Sequence, residues 1–481
     1  MITLPLELLH EITRYLPAQG RALLGVSRIL HQIALQTVFS TVKIFLIHGE
    51  PGFDILNTES ERYVAETSEW SMHRSFELLH HIITTQDFAK IVKTLSVHAF
   101  TDGPQVFELR TLSLALKAMS NLQSLSYFGD NPSFSHIAPS VPTSVRYLKL
   151  QALPEAHLLS HLDQLHFLQA AIPFVYVRDQ KSDRIFAEWD ANGLGNPADL
   201  ANILESNPIR ELVVLSAHLP LLPVWLCTSL TQLDICVTNW ELVGTELLFR
   251  HAVQLEALSL VGYIDSGFFA SLPADPAVLP RLTSFRISCE GLDEDVELRI
   301  APYLREFLER RDAIRRLYIR LPEISLSTAL MFAELVAKLP NIRVLGLHMG
   351  YEPIHETAAL LLAEHLSPRL EALHLNLPWL SDLHVRTWYP ILNKLQQLPD
   401  LTFLSLFSSG EDPIPIHPRD LAIDLPRLCL LGLQRSLFTV DRESCGHENE
   451  FDPLLWAPWT VKYCLPEDFE SQDHAWLFRY H

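Results

Sequence analysis

The sequence predicts an α/β solenoid, short parallel strands alternating with helices, and three observations predict it. An apolar triplet spaced Leu-x-x-Leu-x-Leu, written with Leu, Ile, Val or an aromatic residue, recurs from residue 92 to residue 433. Its copies are separated by about one strand-and-helix unit. Between copies the apolar residues change to helical spacing.

Thirteen copies can be read in order. They are Val92/Leu95/Val97, Leu122/Leu125/Tyr127, Val145/Leu148/Leu150, Leu162/Leu165/Phe167, Ile209/Leu212/Val214, Leu230/Leu233/Ile235 and Leu255/Leu258/Leu260. Leu282/Phe285/Ile287, Ile314/Leu317/Ile319, Ile342/Leu345/Leu347, Leu370/Leu373/Leu375, Leu401/Leu404/Leu406 and Leu428/Leu431/Leu433 follow. All but two of the steps span 21 to 32 residues, which overlaps the roughly 20–29-residue period of leucine-rich repeats. The two exceptions flank the Leu162 copy, a step of 17 before it and one of 47 after it, so an insertion or a degenerate unit is expected near Ile172–Val177.

Within a copy, the last two members lie two residues apart and point to one side of a strand, while their neighbours face the other side. Proline ends the preceding helix at Leu339-Pro340-Asn341, Leu398-Pro399-Asp400 and Leu425-Pro426-Arg427. Met331, Leu335 and Leu339 then fall at i, i+4 and i+8 with Phe332 and Val336 on the next row, and Ser327 is the expected N-cap. Tyr303 with Phe307, Leu304 with Leu308, and Leu362 with Leu366 repeat the logic. Strands stack about 4.8 Å apart and helices about 10 Å apart, so such repeats curve into a horseshoe with a parallel concave sheet.

Four regions are expected: an N-terminal helical module over 1–47, an acidic connector and helix over 48–90, the repeat array over 91–440, and a C-terminal cap or tail over 441–481. The connector, with Glu59-Ser60-Glu61 and Glu66-Thr67-Ser68-Glu69, is expected to be solvated up to a helix near Phe76–Ile83. The tail leaves the repeat pattern and carries Trp456, Trp459 and Trp476; terminal repeats need a cover for their exposed apolar end.

The chain has 481 residues, 48% hydrophobic and 20% charged, enough apolar material for a large core. Thirty-seven basic against fifty-seven acidic residues give a net charge of −20, which repels nucleic acid and anionic membrane. The cysteines (Cys227, Cys236, Cys289, Cys429, Cys445, Cys464) are sparse and irregular, as in a reducing compartment. The only Asn-x-Ser/Thr sequence, at Asn131, is blocked by proline. Glu7 and Glu11 interrupt the first apolar run, so no signal peptide is expected, and a cytoplasmic or nuclear location follows.

Residues 4–47 read Leu4-Pro5-Leu6-Glu7-Leu8-Leu9-His10-Glu11-Ile12, then Leu23-Leu24-Gly25-Val26-Ser27-Arg28, then an apolar helix from Leu30 to Phe39 and Val42-Lys43-Ile44. Leu8 and Ile12 share one helical face, and Leu30, Ile33 and Ala34 another, so three short helices are implied. A module so small needs a partner surface to complete its core; a helical cap for the horseshoe is the plainer alternative. The segment resembles an F-box, on its L-P-x-E-L-L-x-x-I opening and V-S-R start of the last helix. It departs from that pattern at Pro17–Arg21, where the family's second helix commonly has an acidic start.

The resemblance implies that the module docks on the Skp adaptor and through it on a cullin scaffold. By that resemblance Leu4, Pro5, Leu8, Leu9, Ile12, Val26 and Leu30 match the adaptor-binding positions. The chain would then be the substrate receptor of a Skp-cullin-F-box ubiquitin ligase. A leucine-rich-repeat scaffold with no ubiquitin-ligase link is the alternative.

No enzyme is expected, and no cofactor or metal. The sequence lacks a Walker loop, G-x-G-x-x-G, G-x-S-x-G and C-x-x-C. His10-Glu11, His355-Glu356 and His447-Glu448 open a zinc motif whose fifth positions are Arg14, Ala359 and Phe451. Cys445, His447 and Cys464 fit no usual zinc spacing. Binding is expected instead on the concave face, at Arg286, Arg316, Tyr318, Arg320, His348, His374, Asn376, Phe403 and Phe407. Their cations fit an acidic or phosphorylated protein segment, and the rings supply anchors.

Overall fold

The computed structural model describes residues 23, 25–48, 61–101, 106–129, 131–151, 153–170, 176–178, 185–187, 196–240, 242–291, 299–321, 324–350, 352–378, 384–408, 414, 416–434, 436–441, 454–460, 469 and 471–479. Leu4, Pro5, Leu8, Leu9, Ile12, Cys445, His447 and Cys464 lie outside them. The chain divides into two compact units, residues 1–175 with 188–212, and residues 176–187 with 213–481.

In the first unit, α1 (Arg28–Val38) starts at Ser27, whose hydroxyl accepts from the Leu30 amide. It leads directly into strand β1 (Thr41–His48). Sequence placed Val42–Ile44 with the N-terminal module, but β1 pairs in parallel with β2 (Thr94–Thr101) as the first strand of the sheet. Its alternation explains the placement: Val42, Ile44 and Leu46 are buried just as Leu95 and Val97 are. β3 (Ser124–Gly129), β4 (Tyr147–Leu150) and β5 (Phe167–Gln169) add in order, all parallel.

The expected solvated connector gives way, from Glu61 on, to one long helix, α2 (Glu61–Thr84). Its buried stripe begins with small serines, Ser68 and Ser75, before Leu79 and Ile82, so an apolar count starts it too late. Ser75 Oγ accepts from the amide of Phe45 at 2.9 Å, so the helix lies along β1 and shields an edge that would otherwise offer free amides. α3 (Val106–Ala118) and α4 (Pro197–Glu205, N-capped by Asn196) supply further helices of this unit.

The repeat has a backbone signature. The two residues between the first and second triplet members both donate their amides to one carbonyl of the preceding repeat. Gln123 and Ser124 use Lys93, Arg315 and Arg316 use Thr283, and Thr402 and Phe403 use Glu371. This signature corrects one frame. His166 and Phe167 are the pair that donates to Arg146, and Leu148 faces Leu168, so the fourth copy is Leu165/Leu168/Ala170 and not Leu162/Leu165/Phe167. Leucines at 162, 165 and 168 offer two overlapping frames, and all three are buried.

In the second unit, β6 (Tyr176–Arg178) and β7 (Ile185–Ala187) form an antiparallel hairpin inside the long step. β8 (Glu211–Leu215) spans the division between the units. β9 (Gln232–Trp240), β10 (Ala257–Ile264), β11 (Ser284–Gly291), β12 (Arg316–Arg320) and β13 (Val344–His348) follow. Then come β14 (Ala372–Asn376), β15 (Phe403–Phe407) and β16 (Leu430–Leu433). β9 to β16 pair in parallel, each with the next, whereas β17 (Ser436–Asp441) and β18 (Leu454–Thr460) add antiparallel beyond β16. Strand, helix and parallel strand thus repeat as a leucine-rich-repeat α/β solenoid.

Helices α5 (Ala301–Glu309), α6 (Leu326–Ala337), α7 (Glu356–His365) and α8 (His384–Gln396) pack in succession on one side of these strands. α6 begins two residues earlier than expected: Ser325, not Ser327, is the N-cap, and its hydroxyl accepts from the Thr328 amide at 3.3 Å. Leu326 can then be buried as the first helical residue. Phe332, Leu335, Val336 and Leu339 are buried, and so are Leu317, Leu345, Leu373 and Leu404 of the strands. Burial of each such side chain contributes about 1.5–3 kcal/mol before entropy is deducted.

Candidate functional site

The sheet face of the second unit opposite α5 to α8 carries three rows of side chains, fixed by the parallel register. Ser284, Arg316, Val344, Ala372, Phe403 and Leu430 form the first row. Arg286, Tyr318, Gly346, His374, Ser405 and Gly432 form the second. Ser288 and Arg320 face each other in the third, as do His348, Asn376 and Phe407 farther along. All nine side chains expected to bind a partner lie in these rows.

The first two rows are already covered. α9 (Gln472–Phe478) lies on them, N-capped by Ser471, whose hydroxyl accepts from the Asp473 amide at 3.2 Å. A seven-residue helix is not stable alone in water. Its neighbours on the sheet therefore hold its shape, and Trp476, Leu477 and Phe478 join Tyr318, Val344, Ala372, Phe403 and Leu437 in one apolar cluster.

Arg286 is wholly buried. Its guanidinium lies between two rings, 4.3 Å from the Tyr318 centroid and 4.6 Å from the Trp476 centroid. Its Nη2 donates to the carbonyls of Trp476 and Leu477 in the last turn of α9, where a cation also opposes the helix dipole. Tyr318 stacks on His374, with centroids 5.8 Å apart. Gly346 makes room for that ring, since a Cβ there would meet Tyr318 Cδ2 at 2.1 Å.

At the other end of α9, Asp473 takes two guanidiniums: Arg316 Nε donates to Oδ1 and Arg315 Nη2 to Oδ2, both at 2.7 Å. The Asp473 side chain is 8% exposed, so water screens these pairs weakly. Arg315 also lies 3.7 Å from Glu371, which Arg343 pairs as well. Phe403 stacks on Phe478 with centroids 5.0 Å apart, and Thr402 Oγ1 shares a 3.0 Å hydrogen bond with His474 Nε2. Arg479, just past the helix, reaches buried Asp234 at 3.1 Å.

The third row is more open: Arg320, His348 and Phe407 are half-buried, while Asn376 is buried. Arg320 Nη1 donates to Ser288 Oγ at 3.4 Å and to the Cys289 carbonyl at 3.3 Å. Burial, with the Arg320 charge nearby, lowers the His348 pKa to about 3. Burial first, then the charges of His348, Arg286 and Arg320, lowers His374 likewise to about 3, and its Nδ1 shares a 2.9 Å hydrogen bond with Ser405 Oγ. Both rings are therefore neutral at pH 7.

Sequence reasoning missed Arg315, Asp473, Trp476 and Arg479. Arg315 sits beside Arg316 in the triplet spacer and could have been found there. The others lie in the tail, and nothing local links Trp476 to a residue 190 positions earlier. Val26, in the turn two residues before α1, is 64% exposed, and Leu30 is half-buried. Among the described residues no group of three His, Cys, Asp or Glu is placed to hold a metal, and no helix is long and apolar enough to cross a membrane.

No family model and no curated protein matches the chain. Solved structures do. Rad7, in the yeast Rad7–Elc1 complex, is similar at 14% identity over 71% of this chain and 76% of that one, with a TM-score of 0.35. An internalin from Listeria monocytogenes is similar at 13% identity over 86% and 93%, with a TM-score of 0.29. A leucine-rich-repeat protein from Leptospira interrogans is similar at 13% identity over 72% and 79%, with a TM-score of 0.25. The repeat fold itself rests on the strand register and burial described above.

Proposed function

We propose that this chain is a protein-binding receptor whose sheet face opposite α5 to α8 holds a segment of a partner protein. The observation that carries the reading is the treatment of α9. Arg286, Arg315, Arg316, Tyr318 and Phe403 engage its backbone carbonyls, its carboxylate and its rings as one protein surface engages another. Arg320, His348, Asn376 and Phe407 extend the same face. An acidic or phosphorylated segment suits it, because arginines gather here in a chain of net charge −20.

We further propose that residues 1–40, the part of the expected module ahead of β1, dock an Skp adaptor, and through it a cullin. The chain would then be the substrate-recognition subunit of a ubiquitin ligase in the cytoplasm or nucleus. The F-box resemblance supports this, as does the exposure of Val26, just before α1, and Ile29, within it, at 64% and 53%. The test is capture of the tagged full chain from cells, probed for Skp and cullin. Leu8→Asp with Ile12→Asp should abolish adaptor capture, since two buried charges without partners cost several kcal/mol. Absent capture by the unmutated chain, or unchanged capture by the double variant, would leave a repeat scaffold with no ligase link. In the same cells Arg316→Glu with Arg320→Glu should lose substrate labelling and keep the adaptor.

A further inference from the structure

We propose that the surface of Arg286, Arg315, Arg316, Tyr318 and Phe403 recognises a short partner helix in which a carboxylate precedes a tryptophan by three residues. The chain's own Ser471–Arg479 segment then holds that surface as a built-in competitor. This rests on the protein-binding reading and specifies its ligand.

The specificity follows from which contacts depend on side chains. Asp473 and Trp476 stand at i and i+3, so a helix presents both to the same surface. Arg315 and Arg316 close on the carboxylate at 2.7 Å, and Arg286 lies 4.6 Å from the tryptophan centroid. Arg286 also donates to the carbonyls of Trp476 and Leu477, which any sequence would offer. Asp473 and Trp476 thus supply the charge-dependent part of the choice and Leu477 and Phe478 its apolar part, while the backbone contact fixes where the helix ends. Phe403 adds an apolar platform beside the tryptophan site, where Phe478 now stacks.

Arg315 and Arg316 converge on the one carboxylate at this position, and Arg315 also lies near Glu371, so a helix with a carboxylate here is the complementary occupant by charge as well as shape. A tethered occupant competes at an effective concentration on the order of millimolar. A free partner must outcompete it, and loosening the tether's grip should strengthen free binding by about tenfold or more.

The experiment uses the full chain and a fluorescent peptide of residues 469–479, read by anisotropy. Binding should be at least about tenfold tighter to Asp473→Asn, and tighter still to Asp473→Asn with Trp476→Ala, than to the unmutated chain. Adding Arg315→Glu and Arg316→Glu should abolish it. An alanine-based helical peptide that keeps only the aspartate, the tryptophan three residues on and the leucine and phenylalanine that follow it should bind within about tenfold of the native sequence. Circular dichroism checks the fold; if the double variant does not fold, Asp473→Asn alone decides, since it keeps the apolar anchors. Equal binding to all the folded chains, or none to any, would overturn the proposal. Binding of the native peptide without the alanine-based one would overturn it too, leaving a latch specific to the tail. Skp capture is read separately, so failure of the ligase reading and failure of this inference are distinguishable.

Discussion

The two faces of the sheet from β10 to β16 are built on opposite rules. On the helix side, Leu317, Leu345, Leu373 and Leu404 occupy one register row, are fully buried, and do the same job in each strand. On the other side, Arg286, Tyr318, His374 and Ser405 also share a row, yet each has a different neighbour and a different chemistry. The repeat supplies a framework, and the positions it leaves free supply recognition. Changes on the first face should therefore act on stability, and changes on the second mainly on what the face holds.

The largest effect is expected on the framework side. Leu345→Ala leaves a cavity under α6 and should lower unfolding free energy by about 2–5 kcal/mol in urea titration. Arg286→Met should cost less, about 1.5–3 kcal/mol, by removing charge-assisted hydrogen bonds to α9. It should also open Trp476 to an aqueous fluorescence quencher. Quenching that stays as low as in the unmutated chain would mean that apolar contacts alone hold the helix, and the division between the faces would blur.

A smaller effect should appear on acidification. His374 is held neutral in the fold, with a pKa of about 3, whereas the unfolded side chain titrates near 6.5. The unfolded chain therefore takes up this proton first, so the contribution is complete above about pH 6.5 and is lost as pH falls towards 3. Between pH 6.5 and 5.5 the loss should be about 1 kcal/mol for this residue. Urea titrations of His374→Asn should show a pH dependence weaker by that amount; an unchanged dependence would place the titration elsewhere.

The framework was legible because its signal is periodic. Leu-x-x-Leu-x-Leu located strand after strand; it left β1 with the N-terminal module, and it slipped where Leu162, Leu165 and Leu168 allow two frames that burial alone does not separate. α2 was read short because Ser68 and Ser75, rather than leucines, face inward ahead of Leu79 and Ile82. On the other face the expected residues share the rows, but what they touch was hidden. Asp473 meets Arg316 across 157 positions, and no local pattern encodes a pairing at that separation. Arg311 shows the limit from the other side. It reads as one more surface arginine, yet it is buried and donates to the carbonyls of Phe307, Val278 and Pro273 as a purely structural residue.

Amide hydrogen exchange in the full chain tests most directly whether the two faces are separable. The amides of residues 475–479 should be protected in the unmutated protein and should exchange at least about tenfold faster in Arg286→Met, the change expected for a loss of about 1.4 kcal/mol. Those of Leu345–Leu347 in β13 should keep their rates. Loss of protection in β13 together with α9 would contradict the account, because the helix would then belong to the framework and not to the face that binds.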